Sequence, residues 1–185
     1  MLYFSMVHSK IIYAIEIYAN TYVTYLHDLI ILNNRVLRIL QKTGRTAHVS
    51  DLYINFNTLI IPQLFKLRIL LFAHAIINNS PLLPSPFHNR LTFNNQVHQH
   101  NTRQSHDPHR MSFSTNSGSR NTYNQCATLW GSLSSNIKCI TSLALFENSG
   151  MSFLRLEQAT SIFNPFHLFT FFLFFSFYHF YKVIQ

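Results

Sequence analysis

The sequence predicts a mostly α-helical protein with a long irregular middle segment, short C-terminal helices and an apolar Phe-rich tail helix. Three observations carry that expectation. Apolar residues recur at helical spacing through residues 1–79. Asn, His, Ser, Thr and Arg dominate residues 80–124, where large apolar side chains become sparse. The chain closes on "FHLFTFFLFFSFYHFYKVIQ", a run dominated by Phe. Four units follow from these shifts: 1–79, 80–124, 125–158 and 159–185, with no internal repeat among them.

The opening "MLYFSMVHSKIIYAIEIYA" does not read as a secretory leader. No basic residue precedes its first apolar stretch, and Lys10 and Glu16 interrupt the apolar runs. It reads as a buried segment whose beginning is missing. In "TYLHDLIILNNRVLRILQKTG", Leu26, Leu29, Ile30, Val36, Leu37 and Leu40 share one helical face, and Arg35, Arg38 and Lys42 share the opposite one. Gly44 suits the left-handed position that ends a helix, which places the stop there. "IPQLFKLRILLFAHAIINN" predicts a second helix with Pro62 in its first turn. It is apolar on nearly every side from Leu64 to Ile77, as a central core helix is, and "NNSPLLPSPF" ends it. After the polar segment, "CATLWGSLSSNIKCITSLALF" suggests two short helices. One holds Leu129 and Trp130; the other starts near Thr141 and carries Leu143, Leu145 and Phe146.

Composition narrows the function. The chain has 185 residues, enough for one ordinary domain, yet only 11% are charged against the usual quarter. So few charges imply that part of it sits in lipid or leans on other polypeptide. A formal net charge of +8 favours a polyanionic partner, either nucleic acid or an acidic membrane surface, or serves solubility alone. The two cysteines, Cys126 and Cys139, are too far apart for a paired metal or redox motif and read as inert thiols in a reducing compartment.

Tests for catalysis are mostly negative. His98, His100, His106 and His109 cluster in sequence with His88 nearby, but their spacing matches no standard zinc pattern. Gly44, Gly118, Gly131 and Gly150 cannot assemble a phosphate loop, and no nucleophile elbow is present. Glu16, Asp28, Asp51, Asp107, Glu147 and Glu157 are scattered, whereas two-metal phosphoryl transfer needs clustered carboxylates. No cofactor or metal is expected. The basic stripe Arg35, Arg38, Lys42 and Arg45 has two readings: contacts to backbone phosphates, or a solvated face with cations near the negative end of a helix.

Three stretches together carry a resemblance. They are "HSKIIYAIEIYANTYVTYLHDLIILNNRVLRIL" (8–40), "HNTRQ" (100–104) and "TLWGSLSSNIKCITSLALF" (128–146). In this order they resemble the C-terminal part of reverse transcriptases from LINE-type (non-LTR, jockey-like) retrotransposons. The resemblance covers about 2–158 and implies a thumb-like helical region over 1–79, followed by a helical post-thumb region. It implies an RNA-directed DNA polymerase as parent. The family's aromatic-x-Asp-Asp turn has no counterpart, since no two aspartates are adjacent. The metal-binding acids would therefore lie upstream of Met1, and no catalytic residue carries over. The expected activity is non-catalytic: nucleic-acid binding by Arg35, Arg38, Lys42 and Arg45, assisted by Arg103, Arg110 and Arg120. The family's Lys-rich helix is replaced by "FENSGMSFLRLEQ" (146–158), whose Gly150 costs about 1 kcal/mol in a helix interior. Such changes read as erosion of an older sequence.

The tail supports two further readings. Ile162 to Ile184 is long enough for a membrane span, with membrane contact through Phe163 to Tyr181, which would make the chain a small tail-anchored protein with its basic region in the cytoplasm. Alternatively, Phe, Leu, Ser, Tyr and Ile are what T-rich codons encode, and the tail is run-on translation. Without the tail as an anchor, the expected location is intracellular.

Overall fold

The computed structural model describes residues 2–88, 90–98 and 102–163, with side chains to 158. The Phe-rich run from 164 onward, and with it the membrane-span reading, lies outside the described residues, as does His100. Among the described residues there are ten α-helices and no strand; Phe93 and Pro108 form an isolated antiparallel bridge.

A π-helical stretch, Tyr3–His8, runs into α1 (Ser9–Ile12). Tyr3, Ile11, Ile15 and Ala19 face inward, while Leu2, Met6, Tyr13 and Ile17 face out, so the N-terminal segment is buried on one side only. Ala14 takes a left-handed backbone, φ 55°, which breaks α1 from α2 (Ile15–Tyr18). Next come α3 (Val23–Leu40) and α4 (Val49–Asn55). The central helix is α5 (Ile61–Ile77), with a proline in its first turn and nine residues buried. Proline fits there because the first N–H groups of a helix have no intrahelical acceptor. Leu64, Leu67, Ile69, Leu70, Ala73 and Ile76 point to several sides and are met from several sides. Helices α2, α8 (Thr122–Ser132) and α10 (Leu143–Phe163) all pack on α5. One apolar cluster thus reaches from Ile11 to Leu154, each fully buried aliphatic side chain contributing about 1.5–3 kcal/mol.

Between α5 and α8 the described residues are largely turns, with a 3-10 helix at Ser85–Phe87 and two short α-helices, α6 (Asn94–Val97) and α7 (Asn116–Ser119). The stretch is nonetheless anchored. Leu91 is buried in the main cluster, and the Lys138 ammonium, on α9 (Ser135–Lys138), donates to Asp107 Oδ2 at 2.7 Å.

Three placements differ from the sequence reading. Helix α3 stops at Leu40, four residues short of Gly44, and Lys42 takes the left-handed position with φ 52°. The Lys42 N–H donates to Ile39 O and the Thr43 N–H to Arg38 O, both at 3.1 Å, which is a complete Schellman closure. Tertiary contacts set the stop. Leu37 is fully buried against Leu52 and Tyr53, and Gln41 Nε2 donates to the Leu52 carbonyl at 2.8 Å, so the chain must turn there toward α4. The last helix, α10, is not short: it spans 21 residues and runs through Gly150 unbroken. Gly150 is buried where α10 crosses α5, and a β-carbon there would lie 3.3 Å from Leu67 Cδ1. Its local cost is offset by a close helix crossing. Finally, α10 starts at Leu143, two residues after Thr141, and the Ser142 carbonyl accepts from the Phe146 N–H.

Candidate nucleic-acid interface

Arg35 and Arg38 lie on one helical face of α3, separated by three residues, and Lys42 follows four residues on. The Schellman turn then reverses the chain and brings Arg45 back alongside them. The result is an open groove of about 610 Å³ lined by Arg35, Arg38, Ile39, Lys42, Thr43 and Arg45. Four of the expected contact residues are thereby gathered at one place, and among the described residues no carboxylate lines the groove. Ile39 and Thr43 were not expected there. Ile39 reaches the groove because it precedes the turn on the same side of α3, and the Thr43 hydroxyl donates to the Arg38 carbonyl at 3.4 Å.

The rim is held by packing below it. The Tyr3 hydroxyl donates to Asn33 Oδ1 (3.2 Å), Asn33 Nδ2 donates to the Tyr53 hydroxyl (3.0 Å), and that hydroxyl donates to Asn34 Oδ1 (2.8 Å). Burial pushes the Tyr53 hydroxyl up to about 12, with the Asn33 hydrogen bond acting in the opposite sense. This network ties the N-terminal segment and α4 to the groove half of α3. Arg38 leans inward, donating weakly from Nη2 to the Ala47 carbonyl at 3.4 Å. Its Nε is enclosed with no hydrogen-bond partner.

Magnitude decides whether this groove attracts anions. The C-terminal end of a helix carries roughly half a negative charge. Four cations outweigh it several-fold. Elsewhere cations are neutralised: Lys66 pairs with Glu157, Arg68 with Glu16 and Lys138 with Asp107, each at 2.7 Å. Among the described residues no such pair involves Arg35, Arg38, Lys42 or Arg45.

Arg103, Arg110 and Arg120 do not line the groove. Arg103 and Arg110 are exposed on the middle segment. Arg120 is engaged elsewhere, its guanidinium lying 3.6 Å above the Tyr22 ring. The Arg120 carbonyl accepts from Asn20 Nδ2 (2.9 Å), and Asn20 Oδ1 accepts from Gln125 Nε2 (2.8 Å). These bonds fasten the start of α8 to the α2–α3 turn.

Among the described residues no three His, Cys, Asp or Glu side chains come together as a metal site; the His98 and His109 rings meet edge-on at 5.4 Å. No helix among the described residues is long and apolar enough to cross a membrane. The "LWGSLSSNIK" stretch serves packing: Trp130 stacks on Phe146 at 5.6 Å and Leu133 is buried. No protein-family model, curated protein or solved structure matches the chain.

Proposed function

We propose that this chain is a non-catalytic reverse-transcriptase thumb and post-thumb region of the LINE type, and that it binds nucleic-acid backbone without sequence preference. One observation supports the binding above all: Arg35, Arg38, Lys42 and Arg45 converge on one open groove free of carboxylates. Guanidinium and ammonium groups so arranged suit successive phosphates and read no bases. Arg103 and Arg110 assist from the exposed middle segment. Catalysis is left out because no adjacent pair of aspartates exists to hold polymerase metal ions.

The test is fluorescence anisotropy of the full chain with a labelled mixed-sequence duplex, titrated across salt. Four phosphate contacts give a slope of about −3.6 in log affinity against log salt, or roughly 100-fold weakening between 50 and 200 mM. Replacing Arg35, Arg38, Lys42 and Arg45 together by Gln is expected to abolish binding. Replacing Arg103 and Arg110 has a smaller effect. Binding that is flat with salt, or that survives the fourfold replacement, overturns the proposal.

A further inference from the structure

Helix α3 carries a second, apolar face that meets the cationic groove only at Arg35 and Ile39. Tyr25, Leu29, Leu32, Val36 and Ile39 follow one another at spacings of four, three, four and three. At 3.6 residues per turn they fall within an arc of about 80° and extend along about 21 Å of helix. Tyr25, Leu32 and Ile39 are 76%, 57% and 74% exposed, while Leu29 and Val36 are half-buried, packed on one side against the main cluster and the Leu37 cluster and open on the other. Leu26, Asn33 and Leu37, which face the protein's own core, lie about 100° further round. Single exposed apolar residues are ordinary; an unbroken stripe at this spacing has the pattern of a helix–helix seam.

Charge identifies what covers it. Asp28 and Arg35 occupy the outer edge of the stripe, seven residues apart, while the inner edge is Leu26 and Asn33, already buried. A parallel helix would set those outer charges against a buried inner edge. An acidic partner or an anionic lipid surface would suit Arg35 and repel Asp28. A second α3 running antiparallel meets both needs. Leu29 then faces Leu32 of the second copy, Tyr25 faces Val36 of the second copy, and Asp28 lies beside Arg35 of the second copy. The two-fold axis repeats each contact, and no like charges meet.

We propose that α3 is a homodimer seam: two copies pair antiparallel through Tyr25, Leu29, Leu32 and Val36, held in register by Asp28 and Arg35. The contact is roughly half the ~800 Å² per partner of a standard interface, so the dimer is weak and concentration-dependent. Lys42 and Arg45 lie beyond the paired layers, so the groove's outer end stays open. The inference does not rest on nucleic-acid binding, although pairing engages Arg35, one of the four groove cations.

Sedimentation equilibrium of the full chain without nucleic acid tests it. Wild type is expected to show a reversible monomer–dimer equilibrium. Asp28→Lys and Arg35→Glu each place two like-charge pairs across the seam and should weaken dimerisation at least about tenfold. The double variant restores opposite charges and should return to near the wild-type constant. Leu32→Asp should leave monomer only. Asp28 and Arg35 are exposed, so the fold is expected to survive, which far-UV circular dichroism checks. A monomeric wild type, association indifferent to these reversals, or a double variant no better than the singles overturns the proposal.

Discussion

The end of α3 offers a sharp test, because the same residue sits at a conformational and an electrostatic position. Lys42 holds φ 52°, a region that costs a side-chain-bearing residue about 1–2 kcal/mol. Glycine avoids that cost but loses about 0.5–1 kcal/mol through greater unfolded-state entropy. Comparing Lys42→Gly with Lys42→Ala removes the ammonium in both, so the dipole and groove terms cancel. The glycine variant should be more stable by about 0.5–1 kcal/mol, or about 1–4 °C in melting temperature. Gly44 behaves oppositely: its φ is not positive, and a β-carbon would meet only Thr46 Oγ1, at 3.9 Å. Gly44→Ala is expected to stabilise by about 0.4–1 kcal/mol. Urea denaturation followed by circular dichroism reads all three. Both Lys42 variants should also lower the salt slope of nucleic-acid binding by about 0.9. If Lys42→Gly is no more stable than Lys42→Ala, or if Gly44→Ala loses 1 kcal/mol, the helix does not end where the Schellman bonds place it.

The remaining expectations concern the core. Asn33→Ala strips hydrogen bonds from the Tyr3 and Tyr53 hydroxyls and should cost about 2–4 kcal/mol in urea denaturation; a loss below 1 kcal/mol would refute a structural role for the network. The folded Tyr53 hydroxyl titrates at about 12 against 10.0 ordinarily, so the folded state holds that proton more tightly. Its contribution is complete below pH 10 and is lost as the pH rises toward 12, about 3 kcal/mol in all, visible as late tyrosinate absorbance coinciding with unfolding. Burial pushes the Cys126 thiol up to about 12 while Cys139 is exposed, so a thiol reagent should label one site in the folded protein and both in urea, read by mass spectrometry. Asp107→Ala leaves the Lys138 ammonium unpaired and should cost about 1–3 kcal/mol, with faster proteolytic cleavage of the segment around α6; unchanged cleavage would show that the ion pair does not anchor it.

What was legible in the sequence was local periodicity. The all-round apolar pattern of α5 announces a helix buried on every side, and the structure surrounds it with α2, α8 and α10. The cationic spacing of Arg35, Arg38 and Lys42 announces one face, and the groove follows. What was not legible depends on partners distant in sequence. Gly44 looked like a helix stop because glycine tolerates left-handed backbone; Gln41 and Leu37, bound to residues of α4, set the stop earlier and imposed that backbone on a lysine. Gly150 looked like a defect because its benefit lies across the crossing, at Leu67. The stacking of Arg120, expected to assist phosphate contact, was not legible because Tyr22 is almost a hundred residues away.

Charge shows the same dependence. A net +8 on 185 residues says only that anions are attracted somewhere. The fold decides where, by choosing which cations to neutralise. Glu16, Asp107 and Glu157 are each placed against one lysine or arginine that ties two parts of the chain together: α2 to α5, the middle segment to α9, and α10 to α5. The Lys66–Glu157 and Arg68–Glu16 pairs are partly exposed and individually worth little, whereas Lys138–Asp107 is largely buried. Their larger effect is on the field. With half of the six acids engaged there, and Asp28 on the edge of the apolar stripe, the end of α3 keeps four positive charges with no acid lining their groove. Reversing one paired acid, as in Glu157→Lys, would add charge outside the groove lining and should leave its salt slope unchanged. Adding one acid inside it, as in Thr43→Glu, should lower the slope by about one contact. That contrast separates a built site from a generally basic surface.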